Sequence, residues 1–400
     1  MITIGILKNS VQEYAWGSHT AIADLMGWTL PSKKPQAELW MGAHPKAPSL
    51  VKYGDRWISM PDLIRENPVE MLGTLVSQKF NSRLPYLLKV LAVARPLSIQ
   101  AHPDLEQARS GFARENLKKI PINAFNRNYR DVNHKPECIC ALTRFWGLNG
   151  FRRIQDIVFR MKKVCGSELS KEIDALENMP NSKGLQHFLK KLLNLEADRK
   201  KIVLSKSIQN AVKFSEDDPV FGWMVRLFKE YPEDTGIFAP VILNLICLEP
   251  GQAMFIRAGE LHAYLEGMGM EIMANSDNVL RGGLTPKYLD VPELIRILSF
   301  SEKKPEILEP LAKNPLESMY LCPVNEFVLS KICLSGANTY QGPTDRSLEI
   351  ILCTKGEGCI LDMENHAIEL KKGISVMIPA AVEKYTINGN LLLYKAAAPV

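Results

Sequence analysis

Three short segments carry side chains whose types and spacing could hold a metal ion. In SIQAHPD, Gln100 and His102 stand two residues apart, so an extended chain projects both from one face, and Pro103 then stops the ladder. In NHKPECICAL, Pro136 biases Lys135 toward an extended conformation and starts a strand with Glu137, a carboxylate that could reach the same point. In PGQAMFIRAGELHAY, His262 follows a Gly-containing turn between two strands. Nitrogen and oxygen donors of this kind, with one position left open, suit Zn2+ or a similar divalent ion. A lone strand histidine is more often a hydrogen-bonded structural residue, and Gln is an uncommon zinc ligand, so spacing alone leaves both readings open.

Strands must position those donors, and the chain is long enough to build several units of them. Its 400 residues exceed what one hydrophobic core serves, which implies two or three structural units. Hydrophobic residues at 46% and charged residues at 23% are those of a soluble globular protein, and no apolar run is long enough to span a membrane. The N-terminal MITIGILKNSVQEYAWG lacks a basic start and an apolar core, so the expected address is the cytoplasm. A net charge of +5 without a basic run interleaved with aromatics excludes nucleic acid as an expected partner. Eight cysteines without a CxxC motif read as reduced thiols, Cys138 and Cys140 sharing one buried strand face.

Up to Gly150 the apolar segments are short and broken by Pro and Gly, as in QAELWMGAHPKAPS, so strands and turns are expected there. From Arg152 to Pro232 apolar residues recur three and four apart, as in LQHFLKKLLNLEADRKKIVLSKSIQNAV, which predicts helices with a solvated Lys-rich face. The β texture resumes after YPEDTG, so the helical block is an insertion hung from one β domain. PELIRIL, residues 292–298, is a short helix opened by its proline. From Met319 to Val400 short strands return, with turns at TKGEG, KKGI and INGN. LEPGQAMFIRAGE and LKKGISVMIPAAV share a pattern of Gly, apolar strand and turn. The expected architecture is α+β and mainly β, divided into residues 1–151 with 235–318, an inserted helical unit at 152–234, and a smaller β unit at 319–400.

PGQAMFIRAGELHAY is similar to the second motif of the cupin superfamily: Gly251, Gly259 and His262 fall in step, while Arg257 stands where that motif has Pro. More specifically, QAELWMGAHPKAPS, PLSIQAHPD, NYRDVNHKPE, GELHAYLEG and EIMANSDNVLRGGLTPKY, in this order, resemble the signature segments of the type I mannose-6-phosphate isomerase family. The likeness runs from SVQEYAWGS through Pro292 and is less evident in the helical insertion and the C-terminal segment. It implies a cupin-type β-barrel (jelly roll) as catalytic domain and a C-terminal β domain of cupin type. It also implies one Zn2+ per chain held by Gln100, His102, Glu137 and His262, with Arg281 in NVLRGGLTPK as the catalytic arginine. The implied reaction interconverts D-mannose 6-phosphate and D-fructose 6-phosphate. The expected partner is a small sugar phosphate, with no nucleic acid or membrane, and the chain acts as a monomer.

An aldose–ketose isomerisation moves a proton between C2 and C1 through a cis-enediolate, so it needs oxyanion stabilisation and a proton shuttle. A Lewis-acidic metal and the permanent charge of Arg281 meet the first need. Lys135, Glu271 and, behind them, His134 are the shuttle candidates, Glu271 being alternatively a partner that orients His262. The chain has no Gly-rich phosphate loop, so isolated side chains must grip the 6-phosphate, with Ser98, Lys89 and Lys287 as candidates. Trp16 and Glu38 fall in family-like segments and are candidates to shape the pocket, Trp16 being alternatively a core residue. Two rival readings are a non-catalytic cupin-type sugar-phosphate binder or regulator and an iron-dependent cupin oxygenase. Gln100 and the RGGLTPK segment argue against the oxygenase.

Overall fold

The computed structural model describes residues 3–364 and 366–400. Its strands form two antiparallel sheets, one of ten strands and one of eleven, with the helices of residues 154–230 packed against the first. This is the mainly β, α+β architecture that the segment pattern predicts.

The ten-stranded sheet is organised by one long strand, His262–Ala274. Its first residues pair with Phe145–Phe151 and, at His262, with Gln100. From Gly267 onward it pairs with Tyr86–Val93, and from Gly269 also with Glu137–Ala141. The exchange of partners occurs at Gly267, whose φ of +126° is open to glycine and whose Cβ, if present, would stand 2.6 Å from the Arg144 carbonyl oxygen. One strand therefore brings Gln100 and Glu137, far apart in sequence, to its two halves. Strand Leu280–Gly283 adds to Ile99–Ala101, setting Arg281 opposite Gln100.

Five helices, Ile154–Cys165, Ser170–Asn178, Ser182–Leu193, Ala197–Val212 and Pro219–Glu230, fall in the segment whose periodicity predicts them. Their apolar faces share one core with Ile99, Leu148, Ala263 and Leu280 of the sheet, so they brace the strands that carry the donors. The short helix predicted over residues 292–298 spans Val291–Ile297.

The first 150 residues hold more helix than their sequence texture suggests, including Leu105–Leu117. That helix begins with a capping box in which Asp104 accepts from the Gln107 N–H and Gln107 from the Asp104 N–H. The D-x-x-Q pattern is its only strong local signal, because its apolar stripe is thin.

The eleven-stranded sheet is built mostly from the C-terminal segment, but three N-terminal strands complete it. Gly5–Lys8 lies between Ser375–Ile378 and Leu50–Tyr53, with Gly5 opposite Met377 and Leu7 opposite Val51. One hydrophobic core crosses between the sheets, joining Leu39, Leu88, Cys138 and Ile272 to Tyr320, Ile350 and Tyr394.

The repeat noted in the sequence is structural. Strands Ala253–Ile256 and Ser375–Ile378 are both fully buried, and each follows a glycine in the left-handed region, Gly251 at φ +94° and Gly373 at φ +88°. All eight cysteines are free, with Cys138 and Cys140 buried as expected. Among the described residues no helix is long and apolar enough to cross a membrane.

Candidate active site

His102, Glu137 and His262 converge in the interior of the ten-stranded sheet, with one ligand atom from each lying within 4.8 Å of the others. All three are buried. His102 Nδ1 lies 2.8 Å from the Asn278 carbonyl oxygen and His262 Nδ1 lies 3.0 Å from the Glu260 carbonyl oxygen. A carbonyl only accepts, so each Nδ1 carries the proton and each Nε2 presents a lone pair. Those lone pairs face the carboxylate of Glu137 at 3.4 and 3.5 Å. His102 Nε2 is buried and has no hydrogen-bond partner among the described residues. Acceptors turned toward one another in a buried site require a cation between them, and this donor set fits a divalent metal of the zinc type.

Burial dominates the His102 imidazole and pushes its pKa down to about 4, so the ring is neutral near pH 7. Burial opposes ionisation of Glu137, but the ammonium of Lys135 favours the carboxylate, and the carboxyl is held well below its usual range. Lys135 Nζ is 3.0 Å from Glu137 Oε1.

Gln100 pairs across the sheet with both His262 and Arg281, which places it at the same point. Its Nε2 donates to Ser98 Oγ at 3.2 Å, which leaves its carbonyl oxygen for another partner. The turn before His262 is fixed by Gly259, whose N–H donates to the His102 carbonyl at 2.8 Å. Gly259 has φ +74°, and a Cβ there would stand 2.9 Å from the Ile297 carbonyl oxygen. Arg257, where the superfamily motif has Pro, leaves this turn intact: its N–H donates to Glu260 Oε2.

Arg281, Arg130 and Lys287 form a cationic group on one side of the site. Burial lowers the pKa of Arg281, and Arg130 lowers it further; burial, Arg281 and Arg130 do the same to Lys287. Mutual repulsion of this kind marks a place where an anion would be welcome.

Lys89 is engaged elsewhere. Its ammonium lies 3.1 Å from Glu271 Oε2 and 3.4 Å from Glu38 Oε2, and it sits over the Trp40 ring. Burial opposes its charge, but the two carboxylates raise its pKa overall. Glu271 also accepts from the Tyr264 hydroxyl at 3.0 Å, so its oxygens are taken up by Lys89 and Tyr264 and the Nδ1–H of His262 is oriented by the Glu260 carbonyl instead. Burial raises the Glu271 carboxyl against the opposing pull of Lys89. His134 is held by Glu326 of the C-terminal segment at 2.8 Å. Trp16 packs against the core around Leu91 and Tyr264, and Glu38 accepts from the Trp40 indole at 2.6 Å.

A family model described as phosphomannose isomerase type I, catalytic domain, matches residues 4–154, and one described as mannose-6-phosphate isomerase, cupin domain, matches residues 317–396. Mannose-6-phosphate isomerase of Salmonella typhimurium is 42% identical over 389 residues, covering 96% of this chain and 97% of the relative. The chain belongs to the type I phosphomannose isomerase family. Mannose-6-phosphate isomerase of Homo sapiens is 37% identical over 380 residues, covering 88% of this chain and 87% of the relative. A solved, zinc-bound mannose 6-phosphate isomerase matches the fold with a TM-score of 0.91 at 38% identity, covering 100% of both chains. The cupin-type α+β architecture implied by the sequence motifs is therefore the architecture of this phosphomannose isomerase family member.

Two residues of the site carry no mark in the sequence. Asn278 is fully buried and ties down the loop beside the site: its Oδ1 accepts from the N–H groups of Arg130 and Asp131, and its Nδ2 donates to the carbonyls of Asp131 and Asn133. Arg130 joins the cationic group. Both lie inside motif segments, NYRDVNHKPE and EIMANSDNVLRGGLTPKY, but neither residue type signals its role by spacing.

Proposed function

We propose that this chain interconverts D-mannose 6-phosphate and D-fructose 6-phosphate, using one zinc ion held by Gln100, His102, Glu137 and His262. The observation that carries the reading is the convergence of the two Nε2 lone pairs and the Glu137 carboxylate, with its orphaned His102 Nε2, beside the cationic group. Bound there, the ion supplies Lewis acidity toward an oxyanion, a contribution on the order of several kcal/mol.

The reaction proceeds through a cis-enediolate. Arg281, which stays protonated, stabilises the charge that develops on O1 and O2. Lys135 stands beside the donor cluster and carries the proton between C2 and C1. Glu271 and Lys89 form a buried pair that positions Glu38 and Tyr264 at the wall of the site, so Lys89 acts through its carboxylates and not on the phosphate. Ser98, Lys287 and Arg130 grip the 6-phosphate. His134, fixed by Glu326, links the loop before Glu137 to the C-terminal segment.

We further place the reaction in a monomer in the cytoplasm, where free thiols persist. Of the units divided at residues 151/152, 234/235 and 318/319, the last is completed by strands Gly5–Lys8, Leu50–Tyr53 and Arg56–Ser59 of the first. A coupled assay for fructose 6-phosphate formed from mannose 6-phosphate, run before and after chelation and again with added zinc, tests the function. Turnover lost with the metal and restored by zinc is the expected result. Substrate binding without turnover at any metal loading would replace the enzyme reading with that of a sugar-phosphate binder.

A further inference from the structure

We propose that the cavity between the two sheets is a second ligand site, for a small phosphate monoester with an apolar body. Its volume is about 290 Å3, at the lower edge of the roughly 300–1,000 Å3 range of small-molecule pockets. The wall is apolar where Leu25, Ala141, Leu142, Met268 and Leu392 face it. Three lysines, Lys331, Lys355 and Lys372, stand around it with a single carboxylate, Asp24. Asp24 is already paired with Lys372 at 2.7 Å. Lys331 and Lys355 form no ion pair among the described residues, so the cavity keeps an uncompensated positive charge.

Two features build this charge into the fold. The strand Glu349–Asp362 shifts register between Cys353 and Lys355, and a bulge of this kind re-aims side chains. Thr354 within the bulge is tied down by its hydroxyl, which donates to the Leu392 carbonyl at 3.0 Å. Lys331 reaches from the eleven-stranded sheet to the Gly251 turn of the other, its Nζ lying 3.5 Å from where a Cβ on Gly251 would stand. Lysines act as point charges without the planar fork of arginine, which suits a phosphate dianion better than a planar carboxylate. The apolar wall requires the rest of the ligand to carry an apolar face. None of these residues belongs to the candidate active site.

The test uses the full-length, zinc-loaded chain with 1-naphthyl phosphate as a fluorescent probe, in the presence of saturating mannose 6-phosphate. Saturable binding is expected, weakened at least tenfold in the double variant Lys331→Ala, Lys355→Ala and at least threefold in Lys355→Glu. Turnover of mannose 6-phosphate should stay within twofold in both, which also reports that they fold. Inorganic phosphate and 1-naphthol should each bind at least tenfold more weakly than the probe. Absence of saturable binding, displacement by mannose 6-phosphate, or equal binding in Lys355→Glu would overturn the proposal, and inorganic phosphate binding as well as the probe would overturn the apolar part of the assignment.

Discussion

The main-chain carbonyl of Asn278 accepts the Nδ1–H of His102 at 2.8 Å while the Asn278 side chain is anchored to the backbone of Arg130, Asp131 and Asn133. One residue thus fixes both the tautomer of His102 and the loop that carries Arg130. Asn278→Ala keeps that carbonyl but releases the side-chain anchor that holds it in place, so zinc binding should weaken by up to about 10-fold, the low end of the effect of losing support behind a ligand. Competition with a chromogenic chelator measures it, and wild-type affinity in the variant would break the link.

His102→Ala should lose zinc and turnover together. Arg281→Ala should keep its zinc while kcat falls by about 10²–10³, the scale of one lost oxyanion contact. Metal analysis beside steady-state kinetics separates the two. A His102→Ala protein with full zinc and wild-type turnover would sink the ligand assignment.

Gly259→Ala should destabilise the protein by about 1–2 kcal/mol from left-handed backbone alone, with more from the 2.9 Å approach to the Ile297 carbonyl oxygen. Urea unfolding reads the loss. Unchanged stability would show that the turn can relax.

Lys395 Nζ lies 2.9 Å from Glu317 Oε1 and 3.0 Å from Glu349 Oε1, all three buried inside the eleven-stranded sheet. Burial opposes ionisation of Glu317, but Lys395 outweighs it and depresses the carboxyl. A depressed carboxyl contributes stability above its unfolded pKa of about 4.3, and that stability is lost as pH falls through the folded value. Lys395→Met should cost about 3–5 kcal/mol near pH 7, because it leaves buried carboxylates unpaired. The gap between variant and wild type should narrow at pH 4, where protonated carboxyls need no cation. Urea unfolding at both pH values checks this, and a gap that widened in acid would refute it.

The donors are more legible in the sequence than their support. Gln100, His102, Glu137 and His262 are marked by strand spacing and flanking Pro and Gly residues only as possible donors, and it is the family resemblance that joins them into one set. Asn278 and Arg130 carry no such mark, because their roles come from hydrogen bonds and charges across loops far apart in the chain. The two carboxylate partners of Lys89, Glu38 and Glu271, are hidden for a related reason: they reach it only through sheet register. The helical block is legible from its period, whereas Leu105–Leu117, with a thin apolar stripe, is not.

The strand Gly5–Lys8 finds one of its two neighbours only when Ser375–Ile378 is present. During synthesis on the ribosome, at about 5–20 residues per second, that edge must wait on the order of tens of seconds for its partner. Until then it is an open template for pairing with another nascent chain. The fold is closed, in effect, by a clasp whose second half is made near the end of synthesis, so a chain truncated before Ser375 would be left with its first strand unfastened and prone to aggregate.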